Sequence, residues 1–547
     1  MNIRLLPKIL LLVATLLWAE KGQSQSTQNY YWVAFDGKSA STFSVGQPEA
    51  FLSQRAIDRR VRQGIAIDER DLPVPAVYVD SLKSLGALVV HQSKWLNGAT
   101  IQADQELAAS ISELEFVSLV ELTKPGMSLK STRQKWADEQ VTEQIDTARY
   151  GSSVYQVGQL NGQYLHNQNI KGEGMQIAVL DAGFYKVNEY SAFTGLFAGG
   201  RLLGERDFVS PGNDVYQEHS HGLSVLSTMA ANLPGTLIGT APEASYYLFR
   251  TEDASTEYLI EEDNWVAAAE YADSLGVDLI NSSLGYYEFD NSSMNHSYSD
   301  MDGATTRISR AADIAVQKGM LVFTSAGNEA NDSWRYLIAP SDGEFVIGVG
   351  AVNSKGVWAP FSSLGPSADG RVKPNVVAMG WGTSLIRSDG SAGVSNGTSF
   401  SSPVLAGLAA CLWQANPNAT ALQIKKAIEQ SASQYAAPDS LLGYGIPDFE
   451  RADWYLKSLF VDSDAEWTAY PNPFQSKIYL SKLSDFQSEL LEVTVVNIAG
   501  MVVSKENITA ANPLVLTNLA TLPRGLYLLH LRCGSEQATV KVVKSDR

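Results

Sequence analysis

Short apolar runs alternate with longer segments of helical periodicity between about residues 150 and 458. The pattern predicts strands at 176–180, 246–250, 279–282, 321–324 and 345–351. It predicts helices at 154–168, 223–232, 264–275, 304–318 and 403–416. Apolar strands that alternate with helices are typical of a parallel sheet with helices on both faces. Residues 150–458 are therefore predicted to form an α/β domain.

The segments on either side of this domain have different patterns. Residues 28–124 mix strand-like runs such as YYWVAF and WLNGATIQA with helix-like runs such as PEAFLSQRAIDRRVRQG, which predicts a small α+β domain. Residues 125–150 are polar and weakly patterned, so we expect a linker with a short helix there. Residues 466–547 contain short alternating strands separated by Gly, Pro and Asn turns, which predicts a small β-sandwich.

Residues 1–24 have the layout of a secretory signal peptide. Arg4 and Lys8 precede an apolar run at 9–19, and the polar segment EKGQSQS follows. We expect cleavage between about residues 19 and 25; the alternative is a buried N-terminal helix. The run is short for a bilayer, which takes about 20 apolar residues. No later segment reaches that length without charged or polar breaks, so no transmembrane segment is expected in the mature protein.

The composition and charge of the chain limit the number of domains and the partners to be expected. The 547 residues suggest three or four domains at roughly 100–200 residues each. The formal net charge of −18 and the pI of about 4.8 disfavour nucleic acids and anionic membranes as partners. The two cysteines, Cys411 and Cys533, fall in different predicted domains, so we expect no disulfide. Cys411 lies in an Ala/Leu-rich helix and is expected to be a small core residue.

The stretch NGTSFSSP at 396–403 stands directly before the apolar helical run VLAGLAACLWQA. Ser and Thr are good helix caps and Pro suits the first turn, so a purely structural role is one interpretation. The other is that Ser399 is a nucleophile, held and activated at a helix N-terminus. That hypothesis requires a general base and an acid that orients the base.

Candidates for these partners occur elsewhere in the α/β region. His221 opens the apolar run HGLSVLSTMAA; with His219 it forms a His-x-His pair that could instead bind zinc, although only Glu218 lies nearby as a further ligand. Asp181 directly follows the strand-like run QIAVL, and Asn328 follows LVFTSAG. Singly, Asp181 and Asn328 are also ordinary turn residues. Together, the carboxyl ends of parallel strands would gather an acid, a base, an amide and a hydroxyl at one edge of the sheet.

These segments together resemble the subtilisin family of serine proteases over about residues 150–450. The matching runs, in the family's order, are IAVLDAGF, HGLSV, SAGNE and NGTSFSSP, and NSSLG matches the family's substrate-binding strand. The resemblance implies a subtilisin-like parallel sheet. It also implies that Ser399 attacks the peptide bond, that His221 takes and returns its proton, and that Asp181 orients His221. Asn328 and the backbone N–H of Ser399 would hold the oxyanion.

The resemblance further implies a set of substrate-binding residues: Ser283, Leu284, Gly285, Ser325, Ala326 and Gly327. Four positions depart from the residues usual in the family: Ala182, Ser224, Phe400 and Ser401. Ser224 stands in place of a second histidine, and the other three adjoin the catalytic Asp or Ser. None of them supplies a catalytic atom, so they bear on substrate preference and local packing.

The flanking regions resemble segments that accompany secreted subtilisins. Residues 28–124 resemble a propeptide, which acts as folding chaperone and temporary inhibitor, and FLSQRAIDRRVRQGIAIDERDLPV looks like the leader of subtilisin-like proteases from Bacteroidetes-type bacteria. Maturation cleavage is then expected between Thr123 and Tyr150. Residues 466–547 resemble the sorting domain of the type nine secretion system through YPNPF, VVNIAGMVV, RGLYLLHL and KVVK. The alternative for this unit is a β-sandwich that binds carbohydrate or a partner.

The resemblance therefore implies a secreted serine endopeptidase that acts on proteins or peptides and is exported through the periplasm to the medium or the cell surface. Secretion machinery would read its C-terminal domain. A monomer is expected, and no cofactor is required for the reaction. Structural calcium is possible because many subtilisins bind it. The acidic loop 286–305 carries Asp290, Asp300 and Asp302, but no metal ligands are assigned.

Two other functions fit the same sequence. One is a catalytically idle surface or adhesion protein on a subtilisin fold. The other is a narrow-specificity maturation protease or a peptide ligase.

Overall fold

The computed structural model describes residues 28–126, 150–459, 467–482, 490–497, 499–509, 514–534 and 536–545. The predicted signal peptide and nearly all of the predicted linker at 125–150 lie outside these ranges. Within them, no helix combines the length and the apolar character needed to cross a bilayer. The described residues form an α+β domain, an α/β domain and a β-rich domain.

The N-terminal domain is a four-stranded antiparallel sheet with three α-helices. Strands β1–β4 are Asn29–Phe35, Leu88–Ser93, Gly98–Ala103 and Val117–Lys124, in the order β2-β3-β1-β4. Helices α1–α3 are Gln54–Gln63, Ala76–Ser84 and Gln105–Ser112. Helix α1 begins at Gln54, later than the run PEAF, because the Ser53 side chain caps it by accepting the N–H of Ala56.

The middle domain is built on a seven-stranded parallel sheet. Its strands are β5 Gln176–Asp181, β6 Leu202–Asp207, β9 Ser245–Arg250, β10 Leu279–Ser282, β11 Leu321–Ser325, β12 Ile347–Val352 and β13 Val376–Met379. They lie in the order β13-β12-β11-β10-β5-β9-β6. Two antiparallel pairs complete the strands: β7 Asn232–Leu233 with β8 Leu237–Ile238, and β14 Trp381–Ile386 with β15 Ala392–Asn396.

Helices cover both faces of this sheet. They are α4 Val154–Gln159, α5 Gln163–Asn167, α6 Thr194–Ala198, α7 His221–Ala230, α8 Ile260–Leu275, α9 Arg307–Gln317, α10 Thr398–Ala415, α11 Ala421–Ser431 and α12 Phe449–Leu459. Side chains of β5 alternate between two cores: Ile177 and Val179 pack with α7 and α10, whereas Ala178 and Leu180 pack with α8 and α9. The predicted α/β class, with helices on both faces, is confirmed.

The predicted strands all exist, with ends shifted by at most two residues. Three helix predictions are wrong in their bounds. The helix predicted at 264–275 begins earlier, at Ile260, because the acidic residues Glu261, Glu262 and Asp263 form its first turn. The helix predicted at 154–168 is two short helices, because Asn161 takes a left-handed φ of 54° between them. The helix predicted to begin at Pro403 begins at Thr398, so Ser399 lies inside its first turn and Pro403 lies beyond that turn.

The C-terminal domain consists of two small antiparallel sheets. Strands β16–β22 are Trp467–Tyr470, Ile478–Lys482, Leu490–Asn497, Val502–Thr509, Leu514–Leu516, Gly525–Cys533 and Glu536–Lys544. The sheet β16-β17-β20 and the sheet β19-β18-β21-β22 contribute to one apolar core, as the predicted β-sandwich requires. Cys533 is buried in this core, Cys411 is buried in α10, and no disulfide joins them.

Helix α8 presents buried carboxylates to the N-terminal domain. Asp273 accepts hydrogen bonds from Arg59, Arg60 and Lys94, and Arg59 and Arg60 of α1 are themselves buried. Burial alone would raise the pKa of Asp273, but Lys94, Arg60 and Arg59 hold it well below its ordinary value. Glu270, one turn earlier, accepts the backbone N–H of Lys94 at 2.8 Å. The contact between the two domains is therefore a network of compensated buried charges.

Candidate active site

The four residues proposed for chemistry lie at the carboxyl edge of the parallel sheet. Asp181 ends β5, and Asn328 follows β11. His221 is the first residue of α7, and Ser399 is the second residue of α10. Strand ends and helix starts of an α/β sheet meet at this edge.

Asp181 and His221 form a buried hydrogen-bonded pair. Nδ1 of His221 lies 2.7 Å from Oδ1 of Asp181, which also accepts the N–H of Ala182 at 2.8 Å. A carboxylate partner fixes the imidazole as the tautomer with hydrogen on Nδ1, which leaves Nε2 as the basic nitrogen. Gly222 permits this approach of α7 to β5, because an added Cβ would lie 2.4 Å from the carbonyl oxygen of Gly183.

His219 supports the start of α7. Its Nδ1 accepts the backbone N–H of His221 at 3.2 Å. The first N–H groups of a helix have no intrahelical acceptor, and His219 provides one for the N–H of His221. The His-x-His pair thus has a structural explanation that does not involve zinc.

Ser399 is positioned by a helix that is buried from Thr398 to Trp413. Its hydroxyl lies 3.4 Å from the carbonyl oxygen of Ser283, and its own carbonyl oxygen accepts the Ser283 hydroxyl at 2.8 Å. In a regular helix that carbonyl would accept the N–H of residue 403, but Pro403 has no N–H. The Ser283 hydroxyl supplies the missing donor.

A chain of buried polar groups continues behind these two serines. Nδ2 of Asn281 donates to the Ser283 hydroxyl at 3.1 Å, and the Ser402 hydroxyl donates to Oδ1 of Asn281 at 3.0 Å. Asn281, Ser283, Ser399 and Ser402 are all buried. Satisfied buried networks of this kind fix side-chain orientation, so the chain holds the start of α10 against the end of β10.

Asn328 is oriented by the start of the same helix. Its Oδ1 accepts the backbone N–H of Thr398 at 2.9 Å and the Thr398 hydroxyl at 3.0 Å. The amide oxygen is thereby occupied, and Nδ2 is the donor left for the pocket that Asn328 lines together with Ser399.

The pocket next to Ser399 has about 590 Å³ of space, part of it open to solvent. Of the predicted substrate-binding residues, five line it: Ser283, Leu284, Gly285, Ser325 and Gly327. Ala326 is buried behind the lining, where its N–H donates to Val349 at 3.0 Å. The pocket wall at position 285 has room only for glycine, because an added Cβ would lie 2.4 Å from the Ile338 side chain.

Four acidic residues of this lining were not predicted from the sequence: Glu252, Glu257, Glu288 and Glu329. Glu252 is buried and accepts the Tyr286 hydroxyl at 2.7 Å, and Glu329 accepts the Tyr287 hydroxyl at 3.0 Å. A signal was present, since Glu329 directly follows Asn328 and Glu252 comes just after β9 at the same edge.

Three of the four departures from the usual family residues have local partners here. The Ser224 hydroxyl donates to the carbonyl of Ile386 at 2.9 Å, and that of Ser401 donates to Thr398 at 3.0 Å. The ring centroid of Phe400 lies 6.0 Å from that of His221, so Phe400 contributes to the packing around the imidazole.

The acidic side chains of loop 286–305 accept hydrogen bonds from backbone N–H groups of nearby loop residues. Asp302 accepts the N–H groups of Ala304 and Thr305, and Asp290 accepts the N–H of Glu257. Among the residues that the structure describes, one group of three carboxylates is close enough to share a cation: Glu252, Glu257 and Glu261, with oxygens within 4.8 Å of one another. Calcium takes six to eight oxygen ligands, so these three would supply only part of its shell.

Comparison with known proteins shows the family of the chain. Residues 172–445 match the family model described as the subtilase family. The chain belongs to the subtilase family, as predicted from the sequence, and is a serine endopeptidase of subtilisin type.

Two subtilisins and one solved structure are among the proteins similar to this chain. Subtilisin NAT from Bacillus subtilis subsp. natto is 28% identical over 382 residues, which cover 68% of this chain and 85% of the relative. Subtilisin from Bacillus pumilus is 30% identical over 309 residues, which cover 55% of this chain and 98% of the relative. The crystal structure of MycP1 from Mycobacterium smegmatis aligns with a TM-score of 0.44 at 21% identity, covering 59% of this chain and 89% of that one.

The flanking domains match family models as well. Residues 30–140 match the peptidase S8 propeptide domain of Bacteroidota, and residues 468–545 match the secretion system C-terminal sorting domain. The protein is thus a secreted protease precursor, directed to the cell surface or the extracellular space. The predictions of a propeptide, a sorting domain and this location are confirmed.

Proposed function

We propose that Asp181, His221 and Ser399 are the catalytic triad of this endopeptidase. The observation that supports the assignment most directly is the buried 2.7 Å contact between His221 Nδ1 and Asp181 Oδ1, at the sheet edge where α10 places Ser399. An imidazole held in this tautomer can act as a general base toward a serine hydroxyl.

The reaction then proceeds in two halves. The Ser399 oxygen attacks the carbonyl carbon of the scissile bond while its proton passes to His221 Nε2, and Asp181 stabilises the imidazolium. Asn328 Nδ2 and the backbone N–H of Ser399 donate to the resulting oxyanion. The imidazolium returns the proton to the leaving amine, which departs and leaves an ester on Ser399. Water, deprotonated by His221, attacks the ester; the imidazolium then gives that proton to the Ser399 oxygen as the acyl–oxygen bond breaks and the carboxylic acid leaves.

Two short segments are proposed to hold the substrate on either side of the nucleophile. Residues Ser283, Leu284 and Gly285 follow β10, and residues Ser325, Ala326 and Gly327 connect β11 to Asn328. All but Ala326 line the pocket beside Ser399. This placement lets one substrate contact both segments and the oxyanion donors together.

The remaining assignments concern the whole chain. We propose a signal peptide at 1–24, a propeptide domain at 28–124, a peptidase domain at 150–458 and a sorting domain at 466–547. The proposed reaction uses protein groups and water, so a bound calcium ion would be structural. The partners are protein or peptide substrates and the secretion machinery, and the mature enzyme acts as a monomer.

Labelling with a fluorophosphonate probe tests the triad. The probe should react with processed wild-type protein at Ser399 and not with the Ser399→Ala variant. Ser401→Ala is the matched control, because its hydroxyl lies in the same turn and donates to Thr398 at 3.0 Å; this variant should label normally. A wild-type protein that takes no label would indicate a catalytically idle surface or adhesion protein.

A further inference from the structure

The pocket beside Ser399 is strongly acidic. Its lining contains four glutamates and, among the residues that the structure describes, no Lys, Arg or His. Glu252 is only 3% exposed, whereas Glu288 is exposed, so negative charge extends from a buried wall to the solvent. Such a lining favours a cationic ligand.

Glu252 is the buried glutamate of the lining, and two further carboxylates lie beside it: Glu257, which also lines the pocket, and Glu261, which does not. Oxygens of Glu252, Glu257 and Glu261 lie within 4.8 Å of one another, and Glu261 stands in the first turn of α8, whose N-terminus favours negative charge. Burial and these three glutamates raise the pKa of Tyr286 well above its ordinary value, so its hydroxyl stays protonated and donates to Glu252. Like charges held this close repel, and a cation placed between them relieves the repulsion.

The lining of the pocket suits a long side chain with a charged end. Leu284 and Ile338 form an apolar part of the wall, against which a methylene chain can pack. The other lining residues include the polar and acidic groups. Asn328 and Ser399 belong to the same lining, so a side chain in the pocket belongs to the residue whose carbonyl faces the nucleophile. We propose that this pocket selects a Lys or Arg side chain immediately before the cleaved bond. The inference rests on the proposed role of Ser399.

The test is a series of fluorogenic peptides that differ only in the residue before the cleaved bond, assayed with the mature enzyme. Lys and Arg peptides should exceed Leu, Phe and Glu peptides in kcat/KM by at least about 100-fold, because only the cations pair with the buried carboxylates. Glu252→Gln keeps the shape of the side chain and its bond to Tyr286. It should lower kcat/KM for Lys and Arg peptides by about 10- to 100-fold and change the Leu peptide by no more than about threefold.

Two further variants test whether the effect comes from the charge of the pocket. Glu288→Lys changes an exposed residue at the mouth, where folding is not at risk, and should also reduce the preference for Lys and Arg. Glu344→Gln, an exposed glutamate outside the lining, should leave every substrate unchanged. Equal loss on all peptides in Glu252→Gln would show a structural role and overturn the proposal.

Other outcomes separate this inference from the triad assignment. An enzyme that labels at Ser399 but prefers Leu or Phe would overturn the acidic-pocket proposal and leave the triad intact. A preference for apolar residues that appears only with added calcium would show that the glutamates bind a metal ion, which also overturns it. Absence of label at Ser399 would instead refute the proposed function.

Discussion

Ser283 and Ser399 exchange hydrogen bonds in both directions. The Ser283 hydroxyl donates to the Ser399 carbonyl at 2.8 Å, and the Ser399 hydroxyl contacts the Ser283 carbonyl at a longer 3.4 Å. The first bond exists because Pro403 has no N–H for that carbonyl. One residue of the substrate-binding segment therefore sets the position of the proposed nucleophile.

Ser283→Ala should destabilise the protein and lower turnover together. It leaves the buried Ser399 carbonyl without its donor, which costs about 1–3 kcal/mol. We expect a fall in Tm of several degrees, measured by calorimetry on the inactive Ser399→Ala background, and a lower kcat in the active enzyme.

Pro403→Ala supplies the control for this prediction. In the Ser283→Ala background, this substitution gives residue 403 a backbone N–H that can donate to the Ser399 carbonyl, as in a regular helix. Part of the lost stability should therefore return. Strictly additive losses in the double variant would contradict the explanation.

Asn328→Ala should reduce kcat by roughly 10²–10³-fold with little change in KM, a magnitude known from subtilisin itself. The amide donates to charge that exists only in the transition state. Steady-state kinetics on one peptide substrate measure both constants. A matching rise in KM would indicate that Asn328 holds the substrate or the fold, since its Oδ1 also binds Thr398.

Stability should decrease as the pH rises above about 6.5 because of His296. Its Nε2 lies 2.5 Å from the buried carboxylate of Glu262. Burial alone would lower the pKa of His296, but Glu262 and Asp300 outweigh burial and the opposing charge of Arg307, and they raise it. The unfolded chain has a histidine pKa of about 6.5, so this contribution is complete below that pH and is lost as the pH rises through the folded value.

His296→Gln should remove this dependence. Urea unfolding of the Ser399→Ala protein on both sides of neutrality would show a smaller stability difference for the variant, with its largest loss at the acidic end. A variant with the wild-type slope would mean that other groups titrate in this range.

Maturation should follow the specificity inferred for the acidic pocket. The connecting sequence at 125–149 contains Lys130, Arg133, Lys135 and Arg149. If Ser399→Ala accumulates as an unprocessed precursor, processing is autocatalytic, and N-terminal sequencing of the mature wild type should show a start directly after one of these residues. A start after an apolar residue would count against the inferred specificity.

Removal of residues 466–547 should strand an active protease in the periplasm. Among the described residues, β16 and β17 of this domain pack on α12, where Lys477 also pairs with Glu450 at 2.7 Å. The apolar core of the peptidase domain contains no residue of the C-terminal domain, so the peptidase domain should keep its fold. Cell fractionation with an activity stain measures the outcome. Full activity outside the cell would favour a binding role for the β-sandwich.

The sequence predicted the parallel sheet because five of its strands are short apolar runs followed by turn residues. It missed the two strands at the edges of the sheet: β6, whose sequence LLGERD is charged, and β13. The motifs located Asp181, His221, Asn328 and Ser399 because each is local in sequence.

The acidic pocket was not predicted because its residues come from separate loops. Glu252 and Glu329 are far apart in sequence and meet only when β9 and β11 lie in one sheet. The role of Ser283 was equally hidden, since it depends on the absent N–H of Pro403, 120 positions later.

Carboxylates on helix α8 and just after it are covered by the propeptide in the precursor and become exposed in the mature enzyme. Asp273 binds three propeptide cations, Glu270 binds backbone N–H groups of the propeptide, and Asp278 pairs with Arg55. When the propeptide leaves, these carboxylates meet water on one side of an already acidic protein. Activation thereby creates an anionic patch that will attract cationic polymers at low salt. Precursor and product should consequently separate on an anion-exchange column.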